Sequence, residues 1–206
     1  MRRALLAGLL LALAGCSTGP TRAPAENPEQ AWRNHAGQLA RLDAWRLTGR
    51  IAVVSDSEAW HATADWRQDH QAYDIRLIGP MGQGSVQLQG GSRAVTLRDS
   101  DGHVLRSDDA EALLYHETGW RVPVAALRYW VLGLPAPGTV ASRTLDPQGR
   151  LAALEQSGWR IRFLDYGRQD GYELPGRVFA PKDGTRVRLV VGRWRPPGTS
   201  GAQEEG

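Results

Sequence analysis

Cys16 is the only cysteine in the 206 residues, and its surroundings define the chemistry open to it. Arg2 and Arg3 precede the apolar run Ala4 to Ala14, and Leu13-Ala14-Gly15 leads directly into the thiol. A basic start, an apolar stretch too short to cross a bilayer and small residues at its end describe a cleavable signal peptide. Small residues running into a cysteine match the lipobox, where bacteria diacylate the thiol and cut just before it. The expectation is therefore a signal peptide over 1–15 and lipid on Cys16. No disulfide can form within one chain, and lipidation gives an odd cysteine in an exported protein a use without a reactive thiol or a metal. Ser17, rather than aspartate, follows the cysteine. By the general sorting rule for enteric-type lipoproteins, in which aspartate there retains a protein in the inner membrane, an outer-membrane destination follows.

Other chemistry finds little support. His35, His61, His70, His103 and His116 have no metal-ligand spacing on a shared helix face. There is no Gly-x-Ser-x-Gly elbow, no phosphate-cradling loop and no dinucleotide fingerprint, and Gly82-Gln83-Gly84 reads only as a turn. Asp108, Asp109 and Glu111 form an acidic cluster suited to proton transfer, yet they lie where a helix N-terminus favours negative charge. No enzyme, cofactor or metal is expected. A hydrolase built from scattered Ser, His and Asp residues, and a lipid-anchored structural or signalling module that binds a protein, are the competing readings.

The elements that must present these residues follow from pattern. Cleavage leaves 191 residues, enough for one domain. Loss of Arg2 and Arg3 brings the basic count from 25 to 23 against 22 acidic residues, so nucleic acid is not an expected partner. Residues 16–27, with their Pro, Thr, Ser and Ala, read as a lipidated flexible tether, 28–195 as the folded domain and 196–206 as a flexible tail. Asn27 and Pro28 suit the start of a helix over Gln30 to Leu42. From Ala44 the period becomes two: Trp45, Leu47, Gly49, Ile51 and Val53 alternate with polar residues, and Trp60, Ala62, Ala64 and Trp66 oppose His61, Thr63, Asp65 and Arg67. Tyr73, Ile75 and Leu77, then Val86 and Leu88, then Val95 and Leu97 continue it.

Closely spaced strands joined by clusters such as Ser100-Asp101-Gly102 indicate antiparallel hairpins. Asp108 is expected to cap a helix to about Thr118, and Pro123 to open another through Val131. Strands resume near Val140 to Thr144, Leu151 to Gln156, Trp159 to Tyr166, Arg177 to Ala180 and Arg186 to Trp194. The fold class is mainly β (α+β), with ten or eleven strands and about three helices. Such a sheet with one apolar face curls, but the residues leave open whether its interior is filled or hollow.

Ordered along the chain stand Trp45 with Gly49, Trp66, Tyr73, Gly79-Pro80-Met81-Gly82 and Asp108-Asp109-Ala110-Glu111. After them come Pro123, Leu127, Trp130-Val131-Leu132-Gly133-Leu134-Pro135, Asp146, Gly158-Trp159, Leu174-Pro175 and Trp194. In these the chain resembles the LolB family, outer-membrane lipoproteins that receive other lipoproteins from the soluble carrier LolA. The resemblance implies an eleven-stranded antiparallel sheet curled into an unclosed barrel, with about three helices over an apolar cavity. Expected lining residues are Trp45, Leu47, Ile51, Trp60, Ala62, Ala64, Trp66, Ile75, Leu77, Val86, Leu88, Trp130, Trp159, Ile161 and Phe163. The tryptophans could equally serve mainly as core filling.

The resemblance also makes Pro80, Met81 and Gly82 a membrane-insertion loop, with Met81 where the family usually has an exposed leucine; an ordinary hairpin would instead fold Met81 back into the core. The implied partners are LolA, acylated lipoprotein cargo and outer-membrane lipid, and a lipid-anchored monomer on the periplasmic face is expected.

Overall fold

The computed structural model describes residues 23–55, 59–82 and 84–196. The signal peptide, Cys16, the tether up to residue 22 and the tail from 197 lie outside the described residues. The last stretch of the expected tether touches the body, since the Ala25 N–H donates to the Pro147 carbonyl at 2.7 Å.

Asn27, in extended backbone, accepts from the Gln30 N–H, and Pro28 fills a first-turn position that needs no donor. They start α1 (Pro28–Leu39), which stops short of the expected Leu42 because the chain must turn into β1 at Ala44. Leu39 and Leu42 are both buried there.

Six strands then form one meander: β1 (Ala44–Val54), β2 (Ala59–Asp69), β3 (Ala72–Ile78), β4 (Ser85–Gly90), β5 (Val95–Arg98) and β6 (Val104–Ser107). Two helices follow, α2 (Ala110–Thr118) and α3 (Val124–Trp130). The second half comprises β7 (Val140–Leu145), β8 (Leu151–Gln156), β9 (Trp159–Leu164), β10 (Gly167–Gln169), β11 (Tyr172–Leu174), β12 (Arg177–Lys182) and β13 (Thr185–Arg195). β13 pairs with β1, which fuses the halves into one sheet of eleven strands ordered β6-β5-β4-β3-β2-β1-β13-β12-β9-β8-β7. Its outermost strands, β6 and β7, flank the helical segment in sequence, so the barrel is open and α2 and α3 carry the chain from one free edge to the other.

Two further details depart from expectation. The α2 cap is Asp109, not Asp108: the Asp109 carboxylate accepts the Glu111 and Ala112 N–H groups at 2.9 and 3.0 Å, and Ser107 Oγ accepts the Asp109 N–H. Of the acidic cluster, Asp109 caps the helix and Glu111 lies in its first turn. A separate hairpin, β10 with β11, occupies what reads as a connection, because strands of three residues carry almost no alternation.

A bulge between Thr48 and Gly49 sharpens the bend of β1 against β13. A Cβ on Gly49 would lie 2.3 Å from the Val190 carbonyl oxygen, so the close approach of the strands requires glycine there. Among the described residues the buried hydrophobic core runs from Trp32 to Trp194.

Candidate functional site

Antiparallel pairing puts inward side chains in rows across the sheet. Leu47, Trp66, Ile75 and Leu88 make one row; Gly49, Ala64, Leu77 and Val86 make the next. On the other side of β1, Ile51 aligns with Leu189 and Val178, and Val53 with Val187 and Ala180. Gly49 and Ala64 face one another and supply almost no side-chain volume, which leaves space between bulky neighbours. A cavity of about 70 Å³ lies there. Its floor is formed by these inward residues except Gly49, and its roof by Leu114 of α2, Trp120 and Val122 of the connection, and Val124, Leu127 and Val131 from α3 onward. Every lining side chain is apolar. An apolar cavity of this kind does not hold ordered water.

Of the fifteen expected lining residues, Leu47, Ile51, Ala64, Trp66, Ile75, Leu77, Val86 and Leu88 border the cavity. The others lie elsewhere. Trp45 packs between Trp66 and Trp194, with ring centroids 5.1 and 5.4 Å away. Trp60 lies 4.8 Å from Trp120, beside the roof, and Ala62 borders a second recess at the Met81 turn. Trp130, Trp159, Ile161 and Phe163 fill the core toward β8 and β9, where Trp130 and Trp159 meet at 6.0 Å. Buried Gln156 ties that region together by accepting from Trp130 Nε1 and the Ala136 N–H and donating to the Ala136 carbonyl.

Sequence reasoning expected helices over the cavity but missed the residues that form the roof. Trp120, Val122 and Val124 alternate through a segment that reads as a break between helices, and that alternation was the available signal.

The second feature is the turn between β3 and β4. Pro80–Gly82 forms a short 3-10 turn, with the Gly79 N–H donating to the Gly84 carbonyl at 2.9 Å. Met81 is 90% exposed, so it projects outward and does not fold back into the core. Its φ of 54° lies in the left-handed region, which costs a non-glycine residue about 1–2 kcal/mol. Pro80 and Gly82 are also exposed, and neighbouring Ile78 is 46% exposed. An apolar side chain held outward in an uncommon conformation contributes nothing to the core.

The β5–β6 turn gathers Asp99, Asp101 and His103, but Asp99 already accepts the backbone N–H groups of Asp101 and His103 and pairs with the His103 ring. These contacts shape the turn.

The profile of a family described as outer membrane lipoprotein LolB matches residues 43–194, from the entrance of β1 to the buried Trp194 of β13. The chain belongs to the LolB family. An outer-membrane lipoprotein LolB of Nitrosococcus oceani is 41% identical over 187 residues, covering 90% of this chain and 93% of that one. Its counterpart in Pseudomonas aeruginosa is 38% identical over 198 residues, covering 95% and 97%. Among solved structures, a LolA superfamily protein from Nitrosomonas europaea superimposes with a TM-score of 0.52 at 9% identity, covering 84% of this chain and 94% of that one. That likeness concerns the fold, an open antiparallel sheet under helices. Membership in the LolB family makes the chain an outer-membrane lipoprotein of lipoprotein sorting, in a family of localisation proteins and not of enzymes.

Proposed function

We propose that this protein accepts the acyl chains of lipoproteins from the periplasmic carrier LolA in its apolar cavity and delivers them to the outer membrane by way of the Met81 turn. The wholly apolar cavity beneath α2 and α3 carries this reading. Each methylene buried from water contributes about 0.8 kcal/mol, so a sixteen-carbon chain released into the periplasm costs on the order of 12 kcal/mol. A carrier must shield the chains, and a receiver must offer them an apolar interior. No covalent step or nucleotide is needed, because a difference of about 1.4 kcal/mol between two cavities already biases the handover tenfold.

The size of the space supports a receiver that opens to take its cargo. A volume of about 70 Å³ is under half of the roughly 150 Å³ that admits a single benzene ring. An acyl chain enters only if the roof lifts. α2 packs on β5 and β6 at the sheet's free edge, so it can swing outward without breaking strand pairing, while the Trp130 end of α3 stays tied to Gln156 and Trp159.

The decisive experiment is a cell-free transfer assay, in which radiolabelled lipoprotein bound to LolA is offered to this protein and then to liposomes. Passage of label to the protein and onward supports the reading; label that stays on the carrier refutes it. Anchoring has its own test. Cys16→Ala is expected to abolish incorporation of radiolabelled palmitate and recovery of the protein in the outer-membrane fraction. Palmitate labelling that survives the substitution would rule out lipid on Cys16.

A further inference from the structure

β1 and β13 pair through the middle of the sheet, and their outward positions carry Arg46, Arg50, Arg186, Arg188, Arg193 and Arg195, all exposed. Neither strand contains an acidic residue. Arg46 is bound by Asp65 of β2 through a forked contact, with Nε to Oδ1 at 2.8 Å; no ion pair holds the other five among the described residues. Arg46 and Arg195 stand directly opposite across the ladder, a like-charge pairing that weakens a sheet. In a chain whose charges nearly balance, this concentration of cations is segregated onto one surface, where it attracts anionic partners.

The stripe reaches the Met81 turn. Arg50, Arg188 and His61 border one open recess of about 400 Å³ together with Pro80 and Met81. We infer that this arginine face is a docking surface for the anionic phospholipid headgroups of the membrane, and that it seats the protein so that Met81 meets hydrocarbon. The inference rests on the reading of Met81 as the membrane-facing tip. An apolar residue flanked by arginines fits the bilayer interface, where the apolar tip enters the acyl region while the long cationic side chains reach the phosphates. An acidic protein surface would satisfy the arginines but gives no use to a projecting methionine.

Vesicle binding tests this with the mature chain carrying Cys16→Ser, which lacks the lipid anchor and keeps the core residues from Trp32 to Trp194. Vesicles of phosphatidylethanolamine with phosphatidylglycerol are compared with vesicles of phosphatidylethanolamine and phosphatidylcholine. Binding is expected to favour the anionic vesicles and to fall to the zwitterionic level in about 1 M salt, where the screening length is about 3 Å. The double substitution Arg50→Gln with Arg188→Gln should lower anionic partitioning about 30-fold, each charge being worth roughly fivefold. It should leave zwitterionic partitioning and the melting temperature unchanged. Met81→Glu should lower partitioning to both vesicle types and leave the melting temperature unchanged.

Equal binding to the two vesicle types, or an anionic preference that survives the arginine substitutions, overturns the headgroup site and leaves the Met81 reading in place. Arginine substitutions that spare vesicle binding but weaken capture by the carrier assign the face to a protein and overturn it as well. If the parent protein binds neither vesicle, the Met81 reading fails and this inference fails with it.

Discussion

Ala64→Glu should reduce binding of a fluorescent fatty-acyl probe by at least 100-fold in a protein that remains folded. Ala64 is buried on β2 opposite Gly49, at the place where the inward rows leave space, and it lines the cavity. All its neighbours there are apolar, so an introduced carboxylate would have no donor and no cation to meet. Burying an unpaired charge costs several kcal/mol, and about 3 kcal/mol already exceeds a hundredfold change in affinity. Burial raises the pKa of such a group, so it is charged above the raised value and neutral below it. Probe binding should accordingly recover in part as pH falls, which distinguishes a charge effect from a blocked cavity. Thr63→Glu, one residue away on the outer face, should leave uptake intact. Unchanged binding by folded Ala64→Glu protein would show that acyl chains bind elsewhere.

Met81→Glu should separate receipt from delivery. The side chain lies in the β3–β4 turn and does not border the apolar cavity, so passage of chains from the carrier should proceed at the normal rate. Release is different. Placing a charge in hydrocarbon costs about 2.5–3.5 kcal/mol even on permissive scales, so transfer into liposomes should slow by roughly 100-fold. Cargo should then accumulate on the unlipidated protein in the transfer assay. Met81→Leu, which keeps an apolar tip, should restore release. If Met81→Glu blocks uptake and spares release, or changes neither, the turn does not carry cargo into the membrane.

Much of this was legible from the chain. Strict alternation in Trp60 to Trp66 and in Trp159 to Phe163 marks strands with one apolar face, because period two is a backbone property that needs no distant partner. Asn27 with Pro28 marks the start of α1 for the same local reason, since a cap is satisfied within three residues. The family is likewise written in short motifs at fixed spacing, and those motifs carry the expectation of an exposed residue at Met81.

What alternation cannot show is which inward side chains share a wall. Ala64 and Trp159 both point inward, yet one borders the cavity and the other fills the core toward β8 and β9; the difference is set by strand order and by the pairing of β13 with β1, residues more than a hundred positions apart. The roof depends on α2 and α3 crossing between the free edges β6 and β7, which brings Trp120 over the sheet. The arginine face also emerges only in the register that joins Arg50, Arg188 and the Met81 turn. Local sequence determined the longer strands, the start of α1 and the inward face of each alternating strand, because those follow from neighbouring backbone. Long-range pairing alone decided where the empty volume and the charge collect, because both are sums over strands that meet only in the folded sheet.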